Sequence, residues 1–250
     1  MKLYNGRVQN IISSVEVKSF AHSIGFAATG IIGHERLNLI PSGSVFDVFT
    51  LHSPNSLFPS VRSAIVLGYE IWDPVLNIVV TRFDLTANAP FHQLYAEVVS
   101  KKAWEVAHYL ESNGYESIST RAICLKKAAV IAGIGAQGKQ TVVVSPTSGT
   151  RLRFAAVLTS ADLEDDQSFT DDICGECTKC IDACPVKALK PYAIDIHRCM
   201  VYAGENPDSE KVSAEVREME KRFIRRPSRN SFIECTICLD VCPIGSIKRI

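Results

Sequence analysis

The sequence predicts an α+β protein in two unequal parts: a mixed helix-and-strand domain over residues 1–165 and a small cysteine-rich domain over residues 166–250. Three observations carry this. Segments with helical spacing alternate with β-branched apolar runs through the first part, as a mixed α and β domain requires. Eight of the nine cysteines lie between Cys174 and Cys242. Between the two parts runs ADLEDDQSFTDD, residues 161–172, acidic and nearly free of apolar side chains, which reads as an exposed link. A chain of 250 residues with 46% apolar content is long enough to bury a core under such a division.

Residues 13–23 read as a helix, with Ser13 and Glu16 in capping-box spacing, Val15, Phe20 and Ile24 near one face, and Gly25 as the stop. FAATGII and RSAIVLGYE have the β-branched, apolar character of buried strands, separated by a turn-rich loop over 41–59 that can cover a site. HQLYAEVVSKKAWEVAHYLESNG is the clearest helix. It sets Leu94, Val98, Ala103, Val106 and Leu110 near helical spacing and ends at Asn113-Gly114. A second helix is expected near 121–132, and TVVVS and LRFAAVLTS read as two strands joined by the turn PTSGT. In the second part, residues 209–226 place Val212, Val216, Met219 and Phe223 on one stripe of an amphipathic helix ending at Pro227. Its basic end, KRFIRRPSR, reads either as a solvated face or as a phosphate contact.

Lys+Arg and Asp+Glu balance at 27 each, so no whole-chain field draws the protein to nucleic acid or an acidic membrane. The N-terminus lacks the apolar core of a signal peptide and no apolar run approaches a membrane span; the expectation is a soluble cytoplasmic protein with no membrane partner.

GIGAQGKQ, residues 133–140, fits the patterns of a dinucleotide fingerprint and of a phosphate loop, and both matches fail on context. A dinucleotide site needs strand, glycines, helix, whereas the order here is helix, glycines, strand. A phosphate loop needs a hydroxyl directly after its lysine, and Thr141 comes one residue late. A helix C-cap followed by a tight turn explains the glycines, while Lys139 and the bare backbone leave room for a large ligand to approach.

CGECTKCIDACP, residues 174–185, has the spacing of a ferredoxin-like cluster run, in which three close thiolates wrap one cubane and the fourth reaches a neighbouring one. ECTICLDVCP, residues 234–243, looks like the end of a second such run. A zinc site needs four ligands in two pairs and would leave several thiols idle. The exchange rule assigns Cys174, Cys177, Cys180 and Cys242 to one [4Fe-4S] cluster, and Cys184, Cys235 and Cys238 to the other. The position that would complete the second run is Phe232, which cannot ligate iron. Cys199 lies within the same domain and is the better candidate; Cys124, in a predicted apolar helix, reads as a buried inert thiol, and His197 is a weaker alternative ligand. Two cubanes this close form an electron relay.

With LFPSVRSAIVLGYE, FHQLYAEVV, AAVIAGIGAQGKQTVVVSPTSGTRLRFAAVLT, CGECTKCIDACPVKAL, AIDIHRCM and ECTICLDVCP, the chain resembles the epoxyqueuosine reductase and reductive dehalogenase families, cobalamin-dependent iron-sulfur proteins. The resemblance implies a first domain like the nitroreductase and cobalamin-processing folds, followed by a bacterial-ferredoxin-like double-cluster domain. It implies the same cysteine partition, with Cys199 as the offset ligand. It also implies that Gly138, Lys139, Gln140 and Thr141 lie near the corrinoid, with Arg151 either touching a propionamide or making a structural ion pair.

Two departures stand out. Ser119 occupies the place of the acidic proton donor of epoxyqueuosine reductases, and serine is a poor general acid at neutral pH. The helical repeats that grip tRNA in that family have no counterpart before Ile250, so the chain reads as a short form. Both put tRNA modification in doubt. Tyr115 stands near the position of the dehalogenase tyrosine donor, and an aromatic at such a junction is also ordinary core.

The reading is an iron-sulfur oxidoreductase passing electrons from a donor such as ferredoxin or flavodoxin through two [4Fe-4S] clusters to cobalamin, for reduction of an unknown small molecule. The alternative is an electron-transfer protein or reductive activator of a partner protein. A flavin-binding reductase is a third, more remote reading.

Overall fold

Helical and extended segments alternate as the apolar spacing requires. Helix α1 (Ser14–Ser23), strands β1 (Ala28–Gly33) and β2 (Ser63–Glu70), short strands β3 (Ile78–Thr81) and β4 (Phe91–Gln93), helix α2 (Leu94–Ser112), strand β5 (Ser117–Thr120), helix α3 (Leu125–Ile131) and strand β6 (Leu152–Thr159) precede the cysteine runs. Then come helical turn α4 (Lys179–Asp182), helices α5 (Met200–Glu205) and α6 (Ala214–Phe223), strand β7 (Ser231–Ile233) and helical turn α7 (Ile237–Asp240). The computed structural model describes residues 3–4, 7–8, 10–45, 49–81 and 91–245. Its backbone gathers into two units. The first comprises Met1–Glu70, Val98–Ala136 and Leu152–Asp171; the second comprises Ile71–Glu97, Gln137–Arg151 and Asp172–Ile250. The acidic stretch closes the first unit, while two earlier segments, 71–97 and 137–151, fold with the cysteine runs.

The first unit is built on an antiparallel sheet in the order β1-β2-β6-β5. Its central strands pair along their whole length, from Ser63 opposite Thr159 to Glu70 opposite Leu152. Ala64, Ile65, Val66 and Leu67 are all fully buried, so neither face of β2 meets water there, and the sequence shows an unbroken apolar run instead of alternation. Helix α1 starts as its sequence dictates: the Ser13 hydroxyl accepts from the Glu16 N–H at 3.2 Å and the Glu16 carboxylate accepts from the Ser13 N–H at 2.8 Å. In α2 the buried stripe keeps Ala103, Val106 and Leu110 as expected but begins through Val99; Leu94 is exposed and Val98 half-buried. The sequence alone does not reveal which apolar residue begins the stripe, because Leu94, Val98 and Val99 all fit the period.

Three expectations change. The segment 161–172 is largely exposed as expected, but cations pin it to the first unit. Lys18 pairs with Asp166 at 2.5 Å, and Arg36 bonds Asp165 at 2.7 Å, the Ile131 carbonyl at 2.7 Å and the Ser168 hydroxyl at 2.6 Å, while Ala161 and Leu163 are buried. The loop over 41–59 contains an antiparallel pair, Gly43–Val45 with Phe49–Leu51, and the helical turn Pro54–Leu57. TVVVS is extended only at Val143–Val144, because Ser145 and Gly149 then close a turn through mutual backbone bonds of 2.8 and 2.9 Å.

In the second unit β3 pairs with β7 and with β4, antiparallel in both cases. Strand β7 carries Phe232, opposite Val79, and both are fully buried with Val186, Met200, Ala203 and Val216. The vacancy in the second cysteine run is thus filled by a core aromatic. Helix α6 is shorter than expected, capped by the Ser213 hydroxyl, and its stripe buries Val216 while Phe223 stays exposed. No helix among the described residues is long and apolar enough to cross a membrane.

Candidate iron-sulfur site

The two cysteine runs fold alike because they repeat the same local code. The CxxC pairs Cys177–Cys180 and Cys235–Cys238 each carry their second cysteine into one helical turn, α4 or α7, and the two turns touch. In each, a threonine donates its hydroxyl to an aspartate four residues on: Thr178 to Asp182 at 2.7 Å and Thr236 to Asp240 at 2.8 Å. Pro185 and Pro243 then follow the last cysteines, where proline turns the chain away from the helix.

Five thiols are raised, and the cysteines that help raise them fall largely into two sets. Burial raises the Cys180 thiol, and Cys174 and Cys242 raise it further; Cys242 is raised by burial and then by Cys174 and Cys177. In the other group burial pushes Cys235 up to about 11, helped by Cys199 and Cys184, and pushes Cys238 up to about 12, helped by Cys235, Cys199 and Cys184. Cys199 is raised by burial and by Cys184. One coupling crosses between the groups, from Cys180 to Cys238. All nine cysteines are free thiols. Among the described residues no three His, Cys, Asp or Glu side chains close round a point as a single ion needs. A cubane asks for a different arrangement, one thiolate per corner iron, and four thiols round a space supply it.

Cys199 reaches its group as the N-cap residue of α5, after a turn whose Asp195 side chain accepts from the His197 N–H. His197 lies edge-on to Tyr202 with centroids 5.2 Å apart, and its buried Nε2 has no hydrogen-bond partner among the described residues. Cys124 differs from its expectation: it is the N-cap of α3, half-buried, outside the helix it was expected to line.

Lys139 and Gln140 are both buried. Lys139 Nζ donates to the Gly175 carbonyl, inside the first cysteine run, at 2.5 Å. The Gln140 amide meets Cys180 Sγ at 3.7 Å, and its Nε2 has no partner among the described residues. The Lys139 carbonyl accepts from the Tyr192 N–H at 3.1 Å, and the Tyr192 hydroxyl donates to Asp172 at 3.1 Å. Asp172 is held below the usual carboxylate range by the Cys174 N–H first and that hydroxyl second. The segment therefore braces the first cysteine loop.

Gly133, at φ +73°, caps α3 and so confirms the C-cap explanation of the glycines. Gly138 has another purpose: a Cβ there would lie 2.5 Å from Gln140 Oε1 and 2.6 Å from Val144 Cγ2, so its bareness is filled by the chain itself. Thr141 is a β-branched residue at φ +70°, in a region such residues seldom adopt. Arg151 makes an ion pair with Asp240 and lies over the Trp72 ring at 5.1 Å.

A buried acid pair beside the second group escaped sequence reading. Gln93 Nε2 donates to Glu205 Oε1 at 2.9 Å and to Glu234 Oε1 at 3.2 Å. Burial, then the Glu234 charge, push Glu205 up to about 8. The Glu205 charge in turn is among the causes that raise the Cys199 thiol. Glu205 and Glu234 stand on separate elements far apart in the chain, and neither carries a motif.

In the first unit Ser119 lies on β5 opposite Val157. The Tyr115 hydroxyl donates to the Asn10 carbonyl at 2.9 Å while its ring packs on the core, the ordinary role for such an aromatic.

Residues 173–246 match the family model of a 4Fe-4S double cluster binding domain. The curated epoxyqueuosine reductase of Prochlorococcus marinus is 33% identical over 156 residues, covering 60% of this chain and 47% of the relative. That of Bacillus subtilis is 27% identical over 233 residues, covering 87% and 56%. The chain resembles the epoxyqueuosine reductases. The solved epoxyqueuosine reductase of Bacillus subtilis superposes with a TM-score of 0.69 at 20% identity, over 94% of this chain and 66% of that one. A reductive dehalogenase superposes at 0.53 and 14% identity, over 82% and 33%. These two likenesses establish the mixed α and β fold, and the family match gives its C-terminal double-cluster region. The chain spans about half the length of the two curated epoxyqueuosine reductases named above.

Proposed function

We propose that this chain is an iron-sulfur reductase of the epoxyqueuosine reductase type, in which Cys174, Cys177, Cys180 and Cys242 hold one [4Fe-4S] cluster and Cys184, Cys199, Cys235 and Cys238 the other. The observation that carries the reading is the match of residues 173–246 to a double-cluster binding domain, in which the two cysteine-bearing turns α4 and α7 touch. Bare, the raised thiols keep their protons, and iron is the counter-charge that makes their thiolates tenable. The proximity of α4 and α7 gives single electrons a short path between the clusters.

The electrons' destination in this reading is a cobalamin lying against the backbone of residues 138–141. When bound, cobalamin supplies a cobalt centre that takes up single electrons. Support comes from the left-handed Thr141, half-buried, since strained non-glycine backbone gathers at ligand sites. The fit is of backbone only. Lys139 and Gln140 spend their side chains on the first cysteine loop, and Arg151 is paired with Asp240.

The substrate in this reading is epoxyqueuosine in tRNA. An epoxyqueuosine reductase solved with an epoxyqueuosine-modified tRNA stem loop superposes at a TM-score of 0.68 and 22% identity over 94% of this chain. The exposed Lys221, Arg222, Arg225 and Arg229 offer cations for phosphate. Ser119 and the engaged Tyr115 hydroxyl favour a second reading, in which the clusters serve a partner protein and the chain does no bond chemistry. Anaerobically purified, cluster-loaded protein should shift the visible spectrum of added base-off cobalamin and, with reductant, consume epoxyqueuosine in a tRNA stem loop. Intact clusters with no cobalamin binding would overturn the reductase. Binding without turnover, alongside electron exchange with a partner, would favour the second reading.

A further inference from the structure

We propose that Gln140 tunes the reduction potential of the cluster held by Cys180, by donating an amide N–H to that cysteine's sulfur. The inference rests on the cysteine partition proposed above.

Gln140 is only 3% exposed, and the Cys180 sulfur at 3.7 Å is a partner of its amide oxygen, while its Nε2 has none among the described residues. That pairing is possible only while Cys180 carries a proton to donate. Once the sulfur ligates iron as a thiolate it can only accept, and the amide oxygen then faces a negative charge. A half-turn of the terminal amide exchanges the two atoms at no change in shape. It gives the thiolate a hydrogen bond and the buried N–H a partner, and leaves instead an amide oxygen, the less costly group to under-satisfy.

The surrounding sequence is arranged to hold that amide in place. Gly138 leaves the space that Gln140 Oε1 occupies, since a Cβ would come within 2.5 Å of it. No φ in the left-handed range accompanies Gly138, so the glycine is required by space and not by backbone conformation. Lys139, next along the chain, anchors the segment to Gly175, one residue after Cys174.

Reduction adds one electron to the cluster, and an N–H directed at its sulfur stabilises the more negative state, so the bond raises the potential. Gln140→Leu keeps the bulk and removes the donor. Gly138→Ala keeps the donor and displaces it. Both should lower the midpoint potential of one cluster, in an anaerobic redox titration followed by electron paramagnetic resonance. The expected loss is about tenfold in the reduction equilibrium, about 59 mV for one electron. The other cluster should stay at its wild-type potential, and iron should remain at about eight per chain.

Cys199→Ala, which removes the second cluster, identifies the signals. The signal surviving in it should be the one that Gln140→Leu shifts. Unmoved potentials for both clusters, with full iron content, would overturn the role of Gln140 and leave the partition standing. A shift in the signal that Cys199→Ala abolishes would instead overturn the partition.

Discussion

Cys199→Ala should cut iron from about eight to about four per chain and extinguish one of two cluster signals, while Cys124→Ala should leave both unchanged. Cys199 is the N-cap of α5 and shares its electrostatic environment with Cys184, Cys235 and Cys238. Without it the second group has three thiols and one uncoordinated corner. Its buried position and the Cys184 charge beside it already disfavour spare thiolates, so a partial site has little to retain a cluster. Cys174, Cys177, Cys180 and Cys242 are untouched and should keep their cluster. Cys124 caps α3 in the first unit, outside the residues 173–246 that match the double-cluster domain. Iron analysis of the two variants side by side decides; equal loss from both would refute the assignment.

Phe232→Ala should destabilise the second unit by about 3–5 kcal/mol, the range for removing a fully buried aromatic. Phe232 is 0% exposed, pairs with Val79 across β3 and β7, fills the space left by the bare Gly204, and lies under the Arg226 guanidinium at 5.5 Å. The adjoining residues Glu234 and Cys235 belong to the acid pair and the second thiol group, so loss of β7 also releases a cluster ligand. Urea unfolding of the anaerobic protein should show a lower midpoint with an unchanged slope. A change under about 1 kcal/mol would mean that Phe232 is not the anchor its burial indicates.

Local signals in the sequence were faithful. Ser13 and Glu16 form the capping box that their spacing announces, and the apolar run of Ala64, Ile65, Val66 and Leu67 is a strand buried on both faces. The cysteine spacing announced the double-cluster domain that residues 173–246 match. Pairings between distant short segments were hidden. Strand β3 has four residues and β7 three, too few for a periodic pattern, yet their pairing ties residues 78–81 to the cysteine unit. The acid pair of Glu205 and Glu234 was invisible for the same reason: burial and proximity create it, and composition does not.

Misleading signals came from residues whose role depends on what fills the space around them. The acidic stretch is largely exposed as expected, and what the sequence concealed is its pairing with Lys18, Arg36 and Arg62, which lie far upstream. Gly138 drew notice for its bare backbone, and the Gln140 amide lies where its Cβ would be. Arg151 stood between two roles, and Asp240, beyond the second CxxC, supplies the ion pair.

The central claim is that eight cysteines hold two cubanes. Iron content of the anaerobically purified wild-type chain tests it most directly. The account predicts about eight irons per chain; about four, or zinc in place of iron, would contradict it.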